Sequence, residues 1–264
     1  EDGEMELGGY AAMDVRLFAQ APLYQAQGKG RVNPSLVLRP ELSWQWNGGD
    51  DRIDVVPFAR LDSVDAQRRH ADIREMKYSH YDEDWDIKVG FDKVFWGVTE
   101  SRHLVDIVNQ TDAVEDIDGE DKLGQPMVNV GLQRDWGDIN LIALPYFRER
   151  TFAGAKGRPG GSPVIDTDRA LYESDLGRRH PDLALRYSTV FGDWDLGLSH
   201  FRGTSREPVL VSGTNDAGDD IWIPQYDLIS QTGIDVQATV EEWLWKMEAI
   251  ARSGQGDTFG ATSM

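Results

Sequence analysis

The residues of this sequence with the clearest potential for chemistry are the carboxylates of one acidic segment. Residues 112–121 read DAVEDIDGED, and Asp116, Asp118 and Asp121 within them follow the pattern D-x-D-G-x-D. Clustered carboxylates beside a glycine turn supply the hard oxygen ligands that Ca²⁺ prefers, although this spacing differs from the EF-hand order D-x-D-x-D-G. We therefore expect a solvated acidic loop without a cofactor, and Ca²⁺ binding by these three residues is the alternative.

The side chains that support covalent or acid–base catalysis lack the spacing for it. The chain has five histidines and no cysteine, which excludes disulfides, thiolate metal sites and cysteine nucleophiles. No histidine pair has HExxH metal spacing. Ser199 and His200 are adjacent, so on a strand their side chains face opposite sides and cannot form a nucleophile–base pair. We expect a protein that is not an enzyme.

The composition excludes two further classes of protein. The 264 residues include 27 Lys and Arg against 46 Asp and Glu, which gives a formal net charge of −19. Nucleic acid is an unsuitable partner, because phosphates require a basic surface. The mean hydropathy is −0.49, and no apolar run approaches the ~20 residues of a spanning helix. The absence of a long apolar run does not exclude a transmembrane β-barrel, because the apolar residues of such a barrel occupy alternate positions.

Apolar and polar residues alternate along most of the chain, and this pattern defines the elements that position the charged residues. Leu36–Trp46 and Ile53–Leu61 each follow a period of two, and the turn sequence Asn-Gly-Gly-Asp at 47–50 separates them. Together they predict an antiparallel hairpin. We count eleven such segments and no helix. In residues 69–80 the alternation shifts phase near Arg74–Glu75, which predicts a β-bulge.

The connections between these segments alternate between short and long. Short turns lie at 47–51, 81–84, 135–138, 191–193 and 240–242, and long loops lie at 21–34, 96–125, 150–181 and 203–225. This rhythm is typical of an up-and-down barrel, in which turns gather at one rim and loops at the other. The sequence predicts one all-β domain over residues 1–264, an antiparallel up-and-down transmembrane β-barrel with 11–12 strands visible.

Tryptophan placement favours lipid over a protein core as the environment of the apolar face. Five tryptophans lie within about two residues of a short turn, namely Trp46, Trp85, Trp136, Trp194 and Trp243. Indole rings prefer the membrane–water interface, so these residues predict an aromatic girdle at the turn-side rim. The strands also cluster near ten residues, the length that a tilted strand needs to cross the hydrocarbon layer.

The opposite face carries charges of both signs, as expected of a wet or salt-bridged lumen. The predicted pore-lining residues are Arg39, Glu41, Asp54, Arg60, Asp86, Lys88, Arg186, Lys246 and Glu248.

The segment KVFWGVTESRHLVDIVNQTDAVEDIDGED, from Lys93 to Asp121, resembles porin-like outer-membrane proteins of Gram-negative bacteria that are related to the alginate-export families. The matching features are the pair Trp96-Gly97 and the D-x-x-N-x-x-D element of Asp106, Asn109 and Asp112. The segment GIDVQATVEEWLWKMEAIARSGQGD resembles late hairpins of the same group, and together the two segments cover roughly a fifth of the chain. The resemblance implies an outer-membrane barrel of poorly defined solute specificity.

The C-terminus departs from this group, because the chain ends in GATSM where such barrels end in an aromatic residue. Eleven strands are also an odd number, whereas single-chain bacterial barrels have an even one. We expect a chain that lacks its C-terminal strands, and the alternative is that residues 257–264 begin a twelfth strand. The N-terminus has no signal-peptide pattern and no initiator Met, so we expect a mature chain.

These observations predict a porin-like channel of the bacterial outer membrane for passive diffusion of small hydrophilic solutes. Its expected partners are the bilayer, lipopolysaccharide and the solute, with a protein partner or a homo-oligomer as further options. Loop cations that could attract lipopolysaccharide phosphates are Arg148, Arg150, Lys156, Arg158, Arg178 and Arg179. Two alternatives remain: an outer-membrane barrel that acts as a scaffold or sheath for a protein partner, and a soluble carbohydrate-binding β protein.

Overall fold

Alternating side chains keep most of this chain extended, because one apolar and one polar face suit a pleated strand. The structure is a computed structural model and describes residues 3–115 and 118–256. Within these ranges the regular structure consists of strands and three short 3-10 turns, at Asn47–Gly49, Thr167–Arg169 and Gly177–Arg179. The all-β prediction is confirmed.

The described residues form fifteen strands, numbered in chain order. They are β1 (Glu4–Leu17), β2 (Val32–Trp46), β3 (Asp51–Asp62), β4 (His70–Tyr81), β5 (Trp85–Asp92), β6 (Gln125–Arg134), β7 (Gly137–Leu144), β8 (Val164–Ile165), β9 (Leu171–Tyr172), β10 (Asp182–Phe191), β11 (Trp194–Thr204), β12 (Val209–Thr214), β13 (Asp220–Tyr226), β14 (Leu228–Val240) and β15 (Trp243–Ser253). No helix within the described ranges has the length and apolar character needed to span a membrane.

Eleven of the strands form one antiparallel sheet in the order β1-β2-β3-β4-β5-β6-β7-β10-β11-β14-β15. Strand neighbours in this sheet are therefore neighbours along the chain, apart from the four short strands inserted in long loops. Within this sheet, tight turns follow β2, β4, β6, β10 and β14, and longer connections follow β1, β3, β5, β7 and β11, so the tight turns share one end of the sheet. The sheet is open, since no ladder among the described residues joins its edge strands β1 and β15.

A second, four-stranded sheet belongs to the long loops. β12 and β13 form an antiparallel hairpin, and β8 and β9 pair with β13 in parallel. The sequence analysis assigns 203–225 to a loop, whereas the structure has two strands there. These strands have six and seven residues, and Pro224 interrupts the alternation of the second, so the period-two pattern is too short to detect.

A β-bulge lies at the predicted phase shift in β4. Val56 of β3 pairs with Glu75 and Pro57 pairs with Ile73, which leaves Arg74 as the extra residue. The prediction of a bulge near Arg74–Glu75 is confirmed. The bulge places the Arg74 side chain, which is buried, on the polar face of the sheet.

The two faces of the large sheet differ in composition and exposure. One face, here the outer face, exposes large apolar side chains, including Leu36, Leu38, Leu61, Leu141, Leu183, Leu185 and Leu198. The other, here the inner face, buries polar side chains, including Asn33, Ser35, Arg60, Asn129, Ser199, Gln231 and Asp235.

The loop at 93–124 covers part of the inner face and forms the apolar core there. Trp96, Val105, Ile107 and Val108 of this loop are buried in one cluster with side chains of the sheet. The sheet contributes Met127, Ile142, Leu144, Ala184, Phe201 and Ile229. The core therefore lies between the sheet and its own loop, and it fills only part of the inner face.

Candidate functional site

The nine predicted pore-lining residues all lie on the inner face, but their surroundings differ. Arg39, Glu41, Asp54, Lys88 and Arg186 border a cavity of about 710 Å³, here the first cavity. Arg60 borders a second cavity of about 450 Å³. Asp86, Lys246 and Glu248 border neither of these cavities.

Most charges around the first cavity are held in short-range ion pairs along the strands. Arg39 Nε lies 3.3 Å from Glu41 Oε1, and Lys88 Nζ lies 3.4 Å from Asp86 Oδ2. Arg52 Nη2 lies 2.7 Å from Asp54 Oδ1. The wall of this cavity is therefore polar and carries both signs of charge in nearly balanced number.

Arg186 and Asp235 form a bidentate pair across β10, β11 and β14. The two guanidinium Nη atoms donate to the two carboxylate oxygens at 2.7 and 2.8 Å. Gly197 of β11 lies between them, and a Cβ there would lie 2.4 Å from Arg186 Nη2 and from Asp235 Oδ2. Glycine at this position leaves room for the pair, and the guanidinium also faces the Trp96 ring at 5.7 Å.

Arg60, at the wall of the second cavity, connects the sheet to the 93–124 loop. Its Nε and Nη2 donate to the Glu115 carboxylate at 2.9 and 2.6 Å, and its Nη1 donates to Asp14 at 3.0 Å and to Ser35 at 2.8 Å. The side chains of Arg60 and Glu115 are only 9% and 5% exposed. A buried guanidinium whose three nitrogens all donate hydrogen bonds is a fixed structural charge.

Two further arginines continue this network, and sequence reasoning missed both. Arg68 donates to Asp14 at 3.0 Å, to Asp62 at 2.9 Å and to the Val114 carbonyl at 2.9 Å. Arg74 donates to Asp112 at 2.5 Å and stacks over the Phe58 ring at 4.3 Å. The phase shift at Arg74 is a signal that could have found the second arginine. Arg68 lies in a connection and has no such signal.

The D-x-x-N-x-x-D element holds the 93–124 loop in place. Asn109 donates to the carbonyls of Asp92 and Leu123, both at 2.9 Å, and accepts from the Val94 N–H at 2.8 Å. It therefore joins the two ends of the loop. Asp112 accepts from Arg74 and, at 2.6 Å, from the Thr151 hydroxyl, so it joins the loop to β4 and to the next long connection.

Asp106, the first residue of the element, is a buried carboxylate with an ion-pair partner. Its Oδ2 lies 3.2 Å from Lys122 Nζ, and its Oδ1 accepts from the Trp96 N–H at 3.4 Å. Burial raises the pKa of Asp106 above its ordinary value, while Lys122 and the Trp96 N–H act in the opposite direction.

Glu248 and Lys246 attach the same loop to β15. Glu248 Oε1 accepts from the backbone N–H groups of Val98 and Thr99 at 2.8 and 3.0 Å, and Oε2 accepts from Val105 at 3.2 Å. Gly97 approaches this carboxylate so closely, with φ at +131°, that a Cβ would lie 2.8 Å from Oε1. Lys246 pairs with Glu100. The Trp96-Gly97 pair thus packs a loop against the sheet.

The structure describes two of the three predicted Ca²⁺ ligands, so the prediction of a Ca²⁺ site stays a prediction. Asp116 lies outside the described residues. Asp118 and Asp121 are exposed and border different cavities, Asp121 the second cavity and Asp118 another of about 670 Å³.

A different group, His70, Asp112 and Glu115, has candidate ligand atoms within 4.8 Å of one another. Arg74 and Arg60 already pair with these two carboxylates. Two guanidinium charges beside the group fit an ion-pair network better than a bound cation.

Three of the loop cations are engaged by the protein itself. Arg148 donates to the Gly124 carbonyl and to Asp72, both at 2.7 Å. Arg158 donates to the carbonyls of Gln20 and Gly28, and Arg178 pairs with Glu149 at 2.8 Å. Their contacts link the long loops to one another and to the sheet.

Aromatic side chains border the end of the sheet that carries the tight turns. Trp136 and Trp243 are 54% and 67% exposed, and Trp85 and Trp194 are exposed as well. Tyr187 stacks on Trp136 with 5.9 Å between ring centroids, and its hydroxyl donates to the Trp136 carbonyl at 2.7 Å.

The chain was compared with known proteins by family and by sequence. No family model matches it, and no curated protein matches it.

Proposed function

We propose that this protein is a porin-like protein of the bacterial outer membrane that provides a polar path for passive diffusion of small hydrophilic solutes. The observation that carries the proposal is the difference between the two faces of the sheet, with apolar side chains exposed on the outer face and ion pairs buried on the inner face. The fold supports the proposal as far as an antiparallel up-and-down sheet. Barrel closure and membrane insertion are parts of the proposal.

The outer face has a composition that favours lipid. Leu38, Leu61 and Leu185 are 53%, 62% and 46% exposed, and burying one such side chain is worth about 1.5–3 kcal/mol. A monomer in water rarely leaves so long an apolar face uncovered. In a bilayer the same face meets hydrocarbon, and the exposed tryptophans at the tight-turn end lie at the level of the headgroups.

Closure into a barrel in which all neighbouring strands are antiparallel requires strands beyond the eleven of this sheet. In an antiparallel meander the first and eleventh strands run in the same direction, so β1 and β15 cannot pair antiparallel with each other. An even-stranded barrel that includes this sheet therefore needs an odd number of further strands.

The inner face supplies the proposed path for solute. The first cavity offers space between Arg39, Glu41, Asp54, Lys88 and Arg186. Its charged side chains can hydrogen-bond to a passing solute, and because most of them are already paired they do not bind it strongly. Opposite charges at the wall give a transverse field that orients dipolar solutes, and the 93–124 loop limits the size that passes. No chemical step is required of any residue.

Reconstitution of the full-length protein tests the proposal directly. Protein extracted from membranes with detergent and added to a planar bilayer should give discrete conductance steps, and alkaline carbonate should leave it in the membrane fraction. Full recovery in the soluble fraction without detergent overturns the membrane assignment. It would instead favour the soluble carbohydrate-binding alternative.

A scaffold or sheath function is the second candidate, favoured by the apolar core on the inner face. That core, with the Arg60–Glu115 pair beside it, fixes the 93–124 loop inside the sheet and occupies part of the path. Membrane insertion without conductance, together with a stoichiometric protein partner in the purified material, would identify this function.

A further inference from the structure

The first and second cavities meet at two basic side chains. Among the described lining residues, only Arg39 and Lys93 border both cavities. Arg39 extends from the inner face of β2, and Lys93 is the first residue after β5. These two cations therefore line both cavities.

The second cavity is basic although the whole chain is strongly acidic. Its lining includes three acidic residues, Asp14, Glu115 and Asp121. It includes six basic residues, namely Arg16, Arg39, Arg60, Arg74, Lys93 and Lys122. The chain as a whole carries a formal net charge of −19. Arg60, Arg74 and Lys122 are already paired with Glu115, Asp112 and Asp106, so they attract an anion less strongly than an unpaired cation at the cavity wall does.

Lys93 differs from the neighbouring lysines in its partners. Lys77 pairs with Asp92 at 2.5 Å, Lys88 with Asp86 at 3.4 Å and Lys122 with Asp106 at 3.2 Å. The Lys93 ammonium has no such partner within residues 3–115 and 118–256. The carboxylate adjacent in the chain, Asp92, is already engaged by Lys77 and by the Lys93 backbone N–H.

The electrostatic setting of Lys93 disfavours its charged form. Burial lowers the pKa of Lys93 below its ordinary value, and the charges of Arg39 and Arg74 lower it further, while the charges of Glu75 and Asp121 act in the opposite direction. A half-buried ammonium beside two guanidinium groups is stabilised by any anion that enters. Arg39, whose Nε lies 3.3 Å from Glu41 Oε1, borders both cavities and places a second cation beside Lys93.

We propose that Lys93 and Arg39 form a binding site for a small oxyanion, a carboxylate or a phosphate, at the junction of the two cavities. Lys93 supplies a point charge and Arg39 supplies directed N–H donors, a combination suited to oxyanions. The cavity volumes of about 450 and 710 Å³ leave room for the rest of a small solute. The importance of this site for solute choice rests on the proposed channel function, whereas the binding itself does not.

Calorimetric titration of the full-length protein in detergent tests the site. Sodium phosphate and sodium acetate are titrated separately at constant ionic strength into the wild type, Lys93→Met and the control Lys29→Met, which removes an exposed lysine. We expect saturable binding of at least one anion to the wild type. The affinity should fall about tenfold or more in Lys93→Met, which corresponds to a loss of about 1.4 kcal/mol of binding free energy. The affinity of the control should be unchanged. Acetate binding would identify carboxylate solutes, and phosphate binding would identify phosphorylated ones.

If Lys93→Met does not fold, a labelling experiment on the wild type tests whether an anion binds at Lys93. Reductive methylation near pH 8, followed by mass spectrometry, should modify Lys93 several-fold less in the presence of the bound anion, with Lys29 unaffected. Absence of binding by both anions, or equal protection of the two lysines, overturns the site. Anion binding without conductance would count against the channel alone, and conductance without anion binding would count against the site alone.

Discussion

Arg60 of β3 and Glu115 of the 93–124 loop form a bidentate ion pair with N–O distances of 2.6–2.9 Å, although 55 residues separate them in the chain. The pair joins the wall of the sheet to the loop that lies on it. Arg60 also donates to Asp14 of β1, so one guanidinium connects three segments. The inner face is therefore partly a structural surface, held by charges that are not free to act on a solute.

Replacing Glu115 by Gln should loosen this connection. Breaking a buried ion pair costs about 3–5 kcal/mol, and we expect the lower end because Arg60 keeps Asp14 as a partner. Guanidinium unfolding in micelles gives the free energy, and amide exchange in residues 105–115 should increase. Arg134→Gln is the control, because its pair with Asp84 is 39% and 69% exposed and should contribute less than about 1 kcal/mol. Equal losses in the two variants would contradict the prediction.

Gly97→Ala should displace the loop from β15. The residue has φ at +131°, and the new Cβ would lie 2.8 Å from Glu248 Oε1, so we expect a loss of about 1–3 kcal/mol of stability. Unfolding followed by tryptophan fluorescence measures it. Gly161→Ala, where a Cβ meets nothing within 4 Å, should change stability by less than about 0.5 kcal/mol. A neutral Gly97→Ala would show that the close approach to Glu248 is easily relieved.

The strands could be predicted from the sequence because their signal is local. Alternation between neighbouring residues defines a strand and its two faces, and a shift of phase marks the bulge at Arg74. The period-two pattern fails only where strands are short, as in the β12–β13 hairpin at 209–226.

The partners of the charged residues could not be predicted, because they depend on how the loops fold. Arg60 and Glu248 look like free lumen charges in their strands, yet both bind the 93–124 loop. Lys93 is the opposite case. No sequence pattern marks it as a lining residue, yet in the structure it borders both cavities. Alternation assigns a side chain to a face but does not say what covers it.

Asp106 should make the stability of the loop depend on pH. Burial raises its pKa above the ordinary 3.8, so the folded protein holds this proton more tightly than the unfolded chain does. The stabilisation of the folded protein that results from this tighter proton binding is fully present below about pH 4, and it is lost as the pH rises through the raised pKa of Asp106 in the folded protein. We expect the stability of Asp106→Asn relative to the wild type to increase with pH from about 4 upward and then level off.

Unfolding free energies measured from pH 3.5 to 8 test this dependence. Asp138→Asn removes an exposed carboxylate instead and should follow the wild type throughout. A constant difference between Asp106→Asn and the wild type over this range would mean that the carboxyl titrates alike in the folded and unfolded chains.

Leu38→Arg distinguishes a lipid environment from an aqueous one at the outer face. Leu38 lies near the middle of β2 and is 53% exposed, and Leu176, in the connection after β9, is 60% exposed. In water the two leucines are equivalent, and arginine at either should change stability by less than about 0.5 kcal/mol. In lipid vesicles Leu38→Arg should cost about 2–4 kcal/mol, because a charge near the bilayer midplane is poorly solvated, while Leu176→Arg should remain neutral. Equal, small effects of both substitutions in vesicles would mean that this face of the sheet does not meet hydrocarbon.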